Sequence, residues 1–319
     1  MPAGVVHVGK AHAWLKRARL VASHAISSIV VNIEQAAIGL HFNTADMLVM
    51  LPIARRHAHF YTDKPNLNNT SSTRLRRCLR LVRLLLHILF GLAIASTILP
   101  RVQAAQRQHL IRRWSARMLA ALDIRVIVSG NPPPPDIRGA LFVANHVSWV
   151  DIQAIHSVQA VRFIAKDEIR GWPVFGSLAT RANTLFIERT RRHDAGRIVE
   201  MVAARLRAGD CICFFPEGTT SDGSTVQPFK SSLMQAAIDA QIPVRPVAIR
   251  YPAADGSLNK QMAYYGEMSL WQSIKHVLAQ RSPTVELRFL PSIPTDGLDR
   301  HEVALRARQA ILQALTIAH

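Results

Sequence analysis

Two patterns of apolar and polar positions divide the chain. From residue 123 onward, short runs of β-forming residues alternate with segments of helical period. The runs Ile124–Ser129, Ala140–Ala144, Val161–Ala165, Thr184–Glu188, Cys211–Phe215, Val244–Ile249 and Val285–Leu290 read as strands. Helices are expected over Asp151–Val158, Pro173–Arg181, Asp194–Ala208, Phe229–Ala240, Ser269–Ala279 and Arg300–Ile317. Alternation of this kind predicts an α/β fold, with a mostly parallel sheet flanked by helices on both faces. We assign residues 123–319 to that domain.

Before it the pattern is different. Leu84 to Leu99 (LLLHILFGLAIASTIL) is an apolar run of sixteen residues, interrupted only by His87 and closed by Pro100. As a helix it would reach roughly 24 Å, short of the ~30 Å hydrocarbon thickness of a bilayer. Ten arginines occur between Arg74 and Leu122, on both sides of the run, with no acidic residue among them. The positive-inside rule acts through asymmetry, and these flanks have none. Both ends therefore favour the same, cytoplasmic side, which suits a hairpin or an in-plane helix better than a single span. A buried core helix is the competing reading, but it gives the arginines no reason to cluster, whereas each one beside anionic headgroups gains on the order of 1 kcal/mol. Residues 73–122 are thus expected to form a basic, membrane-associated helical region.

Residues 1–72 stay unassigned. Lys10, Lys16, Arg17 and Arg19 precede Leu20–Leu40, but His24, Asn32, Glu34 and Gln35 break any clean signal-peptide core. A polar stretch, Asp63–Thr73, reads as a linker.

Composition narrows the partner. The chain has 319 residues, 49 % of them hydrophobic, and a formal charge of +18. Disorder requires low hydrophobicity as well as high charge, so this is a folded protein with an anionic partner. Residues 1–122 hold seventeen Lys/Arg against three acids, and the remaining two-thirds carry a net charge of only +4. A nucleic-acid-binding surface would need arginines interleaved with aromatics on a folded face. Here they bracket an aliphatic run and aromatics are 6 % of the chain, so a lipid surface is the expected partner and nucleic acid is not. Three cysteines are too few for a disulfide framework and lack metal-binding spacing.

In sheets of this class ligands bind beyond the carboxyl ends of strands, so the residues just after each apolar run bear inspection. After Phe142-Val143-Ala144 come Asn145, His146 and, five residues past the histidine, Asp151. The carboxylate can fold back from the first turn of the next helix to one imidazole nitrogen, leaving the other as a general base. Ser148-x-x-Asp151 also has the form of a capping box, which would make Asp151 a helix-start residue alone. After Cys211–Phe215 comes Pro216-Glu217-Gly218-Thr219-Thr220-Ser221, a sharp turn whose amides and hydroxyls can face an anion. Glu217 is expected to be exposed there, accepting hydrogen bonds from substrate hydroxyls. Arg189, after Thr184–Glu188, can hold a phosphate bidentately or belong to a solvated cluster with Arg191 and Arg192. Lys166 is a similar candidate after Val161–Ala165.

In this order the segments resemble the glycerolipid acyltransferases typified by 1-acylglycerol-3-phosphate acyltransferase. Asn145, His146 and Asp151 meet the family's N-H-x(4)-D block, and Phe215, Pro216, Glu217, Gly218, Thr219 and Ser221 meet F-P-E-G-T-x-S. The block usually written G-x-x-F-I-D-R appears as Asn183 to Arg189 (NTLFIER), and a proline-bearing strand appears as Ile242–Val247 (IPVRPV). The resemblance covers roughly residues 100–319. It implies transfer of a fatty acyl group from acyl-CoA or acyl-carrier protein to a lysolipid hydroxyl, with 1-acylglycerol-3-phosphate as acceptor and phosphatidic acid as product. It further implies His146 as base, Asp151 as its orienting partner, and Arg189, Gly218 and Thr219 at the acceptor phosphate. Neither a metal nor a redox cofactor is needed. The segment Phe215–Ser232 is also similar to bacterial lyso-ornithine lipid acyltransferases, which makes that lipid the alternative acceptor. The location implied is the cytoplasmic face of a bacterial inner membrane.

Overall fold

The computed structural model describes residues 71–134, 136–187 and 194–316. Two antiparallel-sequence helices open it: α1 (Arg74–Thr97), a 3-10 turn at Leu99–Arg101, and α2 (Ala104–Ala121). Most of the apolar run therefore lies in a longer helix that ends at Thr97, and its last residue, Leu99, opens the 3-10 turn that carries Pro100. The α/β layer follows as β1 (Arg125–Gly130), β2 (Ala140–Ala144), α3 (Val150–Val158), β3 (Arg162–Lys166), α4 (Phe175–Arg181), β4 (Leu185–Ile187), α5 (Asp194–Arg207) and β5 (Cys211–Phe214). It continues through α6 (Met234–Asp239), β6 (Val244–Arg250), α7 (Leu270–Ala279), β7 (Thr284–Phe289) and α8 (Arg300–Thr316).

The seven strands lie in the order β1-β7-β6-β2-β5-β3-β4, all parallel neighbours except β6 and β7. The mostly parallel sheet read from the sequence is present, with one antiparallel pair in it. Strand β2 is central and buried on both faces, which is why it reads Ala-Leu-Phe-Val-Ala without alternation. Its side chains still sort by the period of two. Ala140, Phe142 and Ala144 join a core with residues of α1, α2, α3 and α7, while Leu141 and Val143 join one with α5, α6 and α8.

Register places the site. Val143 of β2 pairs with Phe214 of β5, and Ala144 pairs with Val247 of β6. The segments leaving β2, β5 and β6 therefore emerge side by side, although those strands end at Ala144, Phe214 and Arg250.

The helical hairpin shares a core with this layer: Leu84, Met118, Leu119 and Leu122 pack in one cluster with Phe142 and Ile155. The division between residues 122 and 123 is accordingly one of pattern and charge; packing runs across it. Close approach of the two helices depends on Gly91, where a Cβ would stand 2.3 Å from Nε1 of Trp114. The opposite side of α1 is uncovered, with Leu75, Leu79, Val82, Leu86 and Leu89 exposed in a helical stripe.

Two expectations need correction. Arg80, counted among the arginines bracketing the apolar run, is fully buried; it bonds Asp123 through Nε and Nη2 and the carbonyls of Leu278 and Gln280 through Nη1. It ties the hairpin to the end of α7 and does not face a lipid surface. The helix expected over Phe229–Ala240 starts only at Met234. The preceding segment is held by the turn after β5, through a hydrogen bond from the Lys230 N–H to the Pro216 carbonyl.

Candidate active site

His146 and Asp151 meet as their spacing suggests. Asp151 lies in the first turn of α3 and its side chain folds back over the connection from β2, so that His146 Nδ1 stands 2.8 Å from Oδ2. The carboxylate can only accept, so Nδ1 carries the proton and Nε2 is left with a free lone pair. The same Oδ2 accepts the amides of Val147 (2.7 Å) and Ser148 (2.9 Å). The bond from Ser148 is the carboxylate half of the capping pattern, so one side chain both starts the helix and orients the histidine. Asp151 has no exposure, while 17 % of the His146 side chain is open.

Oδ1 of Asp151 is taken by a group the sequence reading passed over. The hydroxyl of Tyr251 donates to it at 2.5 Å from the far end of β6. Tyr251 is fully buried, and its phenol is pushed well above the usual range by burial and by the Asp151 charge. Asn145 fixes this neighbourhood by extending the β2–β6 ladder: its Nδ2 donates to the Ile249 carbonyl at 2.9 Å, and its Oδ1 accepts the Ile249 amide at 2.8 Å. Asn145 is thus a structural clamp. The rule that singled out residues after each strand applies equally to Tyr251, two positions past Ile249.

Glu217 is not exposed on its turn. It is 5 % accessible; Oε1 accepts the His146 amide at 2.7 Å and Oε2 accepts the Gln227 amide at 2.8 Å. Burial raises its carboxyl pKa, and the two amide bonds oppose that shift. Its partners come from a neighbouring strand connection and from ten residues downstream, so the glutamate staples the two loops and both of its oxygens are engaged in that structural role. The turn adopts the needed shape because Gly218 has φ +77°, a region that favours glycine. The Ser221 amide then bonds the His146 carbonyl at 2.9 Å. Phe215, at the mouth of β5, stacks on the His146 ring with centroids 3.7 Å apart and planes 6° from parallel.

Of the other candidates, Thr219 is exposed, Gly218 is half-buried, and Lys166 is exposed at the end of β3. Arg189 falls in residues 188–193, outside those described. Thr220, not singled out beforehand, lines a cavity of about 300 Å³ together with His146. The rest of its wall is mostly aliphatic and aromatic, including Ile88 and Leu110 of the hairpin, Trp149, Phe163 and Leu178. Among the described residues no three His, Cys, Asp or Glu side chains are grouped to hold a metal ion. A base lining an apolar pocket can deprotonate a hydroxyl whose reaction partner carries a long hydrocarbon.

Comparison with known proteins bears on this geometry. The family model described as Acyltransferase matches residues 125–250. A lyso-ornithine lipid O-acyltransferase of Pseudomonas aeruginosa is 39 % identical over 248 residues, covering 76 % of this chain and 94 % of its own. A 1-acyl-sn-glycerol-3-phosphate acyltransferase of Neisseria meningitidis is 38 % identical over 184 residues, covering 58 % and 71 %. The crystal structure of the 1-acyl-sn-glycerophosphate acyltransferase PlsC from Thermotoga maritima superposes with a TM-score of 0.53 at 22 % identity, over 75 % of this chain and 97 % of that one. That last likeness is one of fold.

Proposed function

The chain belongs to the glycerolipid acyltransferase family, and from that premise we propose that it moves a fatty acyl group from a thioester, acyl-CoA or acyl-carrier protein, to the free hydroxyl of a lysolipid. The observation that carries this reading is the His146–Asp151 pair, with the histidine lining an apolar cavity. Nε2 of His146 takes the acceptor's hydroxyl proton as its oxygen attacks the thioester carbonyl. The tetrahedral intermediate then collapses, the carbon–sulfur bond breaks, and the thiolate leaves with that proton. Asp151 holds the tautomer and stabilises the imidazolium while it lasts. Tyr251 and the two amides hold Asp151. The acyl chain lies in the cavity, between the hairpin and α3.

Two acceptors have support. The extent of likeness to the Pseudomonas protein, 94 % of its length, favours lyso-ornithine lipid. The Neisseria relative favours 1-acylglycerol-3-phosphate, the acceptor first implied by the sequence blocks. The uncovered stripe of α1, flanked by exposed Arg74, Arg76 and Arg83, supports docking on an anionic membrane surface with the hairpin lying along it. The cytoplasmic face of a bacterial inner membrane is the location that fits an acyl-CoA or acyl-carrier-protein donor and a lipid acceptor.

The test is an acceptor competition: purified protein, one long-chain acyl-CoA, and equal amounts of lyso-ornithine lipid and 1-acylglycerol-3-phosphate, with products separated by mass. A dominant ornithine lipid or phosphatidic acid product assigns the acceptor. Failure to acylate either, under conditions where a related enzyme does, would remove the lysolipid reading.

A further inference from the structure

One polar side chain in the apolar cavity has no work in the mechanism above. His156 lies on α3, five residues beyond Asp151, and is 6 % exposed. It lines the same cavity as His146, and its Nδ1 is buried with no hydrogen-bond partner among the described residues. A series of ring contacts joins the two imidazoles. His146 stacks on Phe215; Phe215 stacks on Phe163 at 5.7 Å and 14°; and His156 meets Phe163 edge-on at 4.9 Å and 84°. Two other polar residues of the wall satisfy each other, since Ser115 Oγ donates to Gln153 Oε1 at 2.9 Å.

Packing does not explain His156. A phenylalanine or leucine would fill the space beside Phe163 without burying an unpaired nitrogen, which is a costly arrangement that native cores avoid. Burial keeps the ring neutral, pushing its pKa down to about 4, so it offers one donor and one acceptor and no charge. A free water would need two to four polar partners, and the mostly hydrocarbon wall supplies few. A hydroxyl delivered by a chain already bound in the cavity needs only one, and it suits either imidazole tautomer.

We propose that His156 is a specificity residue, whose buried imidazole hydrogen-bonds a hydroxyl carried on the acyl chain of the donor. This rests on the reading that the cavity holds that chain. The partner is a hydroxylated fatty acyl thioester; a charged group would lose its hydration against this wall.

The test uses the purified full chain and its His156→Leu and His156→Asn variants. Each is given an unsubstituted acyl thioester in competition with same-length thioesters bearing one hydroxyl at successive carbons. At one hydroxyl position, the ratio of kcat/KM for hydroxylated over plain donor should be about three- to tenfold higher in the parent than in His156→Leu, the size of one net hydrogen bond. His156→Asn, which retains a donor and an acceptor, should recover part of that ratio. The melting temperature of His156→Leu should equal or exceed the parent's; should that variant fail to fold, His156→Phe carries the same comparison. Equal ratios in parent and variants at every position overturn the inference and leave acyl transfer standing. A second arm puts the hydroxyl on the acceptor's chain with a plain donor, and a His156-dependent preference found there alone overturns the assignment to the donor. Absence of transfer from any thioester in the parent removes the acyltransferase reading and this inference with it.

Discussion

The α1–α2 hairpin and the strand ends that hold His146 spend their residues in opposite ways. The hairpin presents area: five leucine and valine side chains of one α1 stripe are uncovered, and exposed arginines flank them. No single side chain dominates such a surface, because burial against lipid adds up in small increments. The strand ends present a few short hydrogen bonds in which every carboxylate oxygen of Asp151 and Glu217 is engaged. Asp151 takes four donors, Glu217 takes two, and the His146 ring is fixed by a bond on one edge and by Phe215 on its face. Loss of one residue should therefore be graded in the first region and severe in the second.

The largest effect expected on that contrast, short of removing the base itself, is from Asp151→Asn. The amide oxygen can still take the three bonds that Oδ2 takes, but the negative charge that stabilises the imidazolium is gone and the NH2 group is turned toward the Tyr251 hydroxyl. Turnover should fall about 10²–10⁴-fold, checked by steady-state kinetics at saturating thioester. A loss under tenfold would mean that Asp151 is a helix-start residue only.

Next in size is a pH effect on stability. Burial lowers the His156 pKa to about 4 from 6.5, so between those values the unfolded chain binds a proton that the folded one does not. Stability should then fall as pH drops from about 6.5 to about 4, by on the order of 3 kcal/mol from this group alone. Urea unfolding across that range should show the loss in the parent and a smaller one in His156→Leu. Parallel pH profiles for the two proteins would contradict the buried, neutral ring.

Tyr251→Phe removes one donor from a fully buried carboxylate. A cost of about 1–3 kcal/mol is expected, seen as a lower melting temperature and a lower kcat with little change in KM. A raised KM with kcat intact would place Tyr251 at substrate instead. The smallest effect belongs to the hairpin. Leu89→Ser should weaken vesicle binding by about 1 kcal/mol, and further changes along the stripe should add to it. All-or-none release by one substitution would break the proposed contrast between the two regions.

The same difference governs what could be read from the chain. His146 and Asp151 were legible because their contact is local, five residues apart at the end of a strand that announces itself as an apolar run. The strand set was legible for the same reason, as β-forming runs bounded by turns. Glu217 looked exposed because its turn is polar; its burial depends on His146 and Gln227, brought together by the parallel pairing of β2 with β5. Tyr251 depends on the β2–β6 pairing in the same way. Arg80 was counted as surface charge because composition cannot say which of ten arginines has Asp123 and two helix-end carbonyls waiting for it. His156 carries no motif and is visible only as a buried nitrogen without a partner among the described residues.

The measurement that reaches the central claim most directly is acyl transfer by His146→Ala, beside the parent, in proteins shown by circular dichroism and vesicle sedimentation to be folded and membrane-bound. The parent should form the diacyl product, and the variant should form none above the uncatalysed background. Near-normal turnover by the variant would contradict the assignment of His146 as the base.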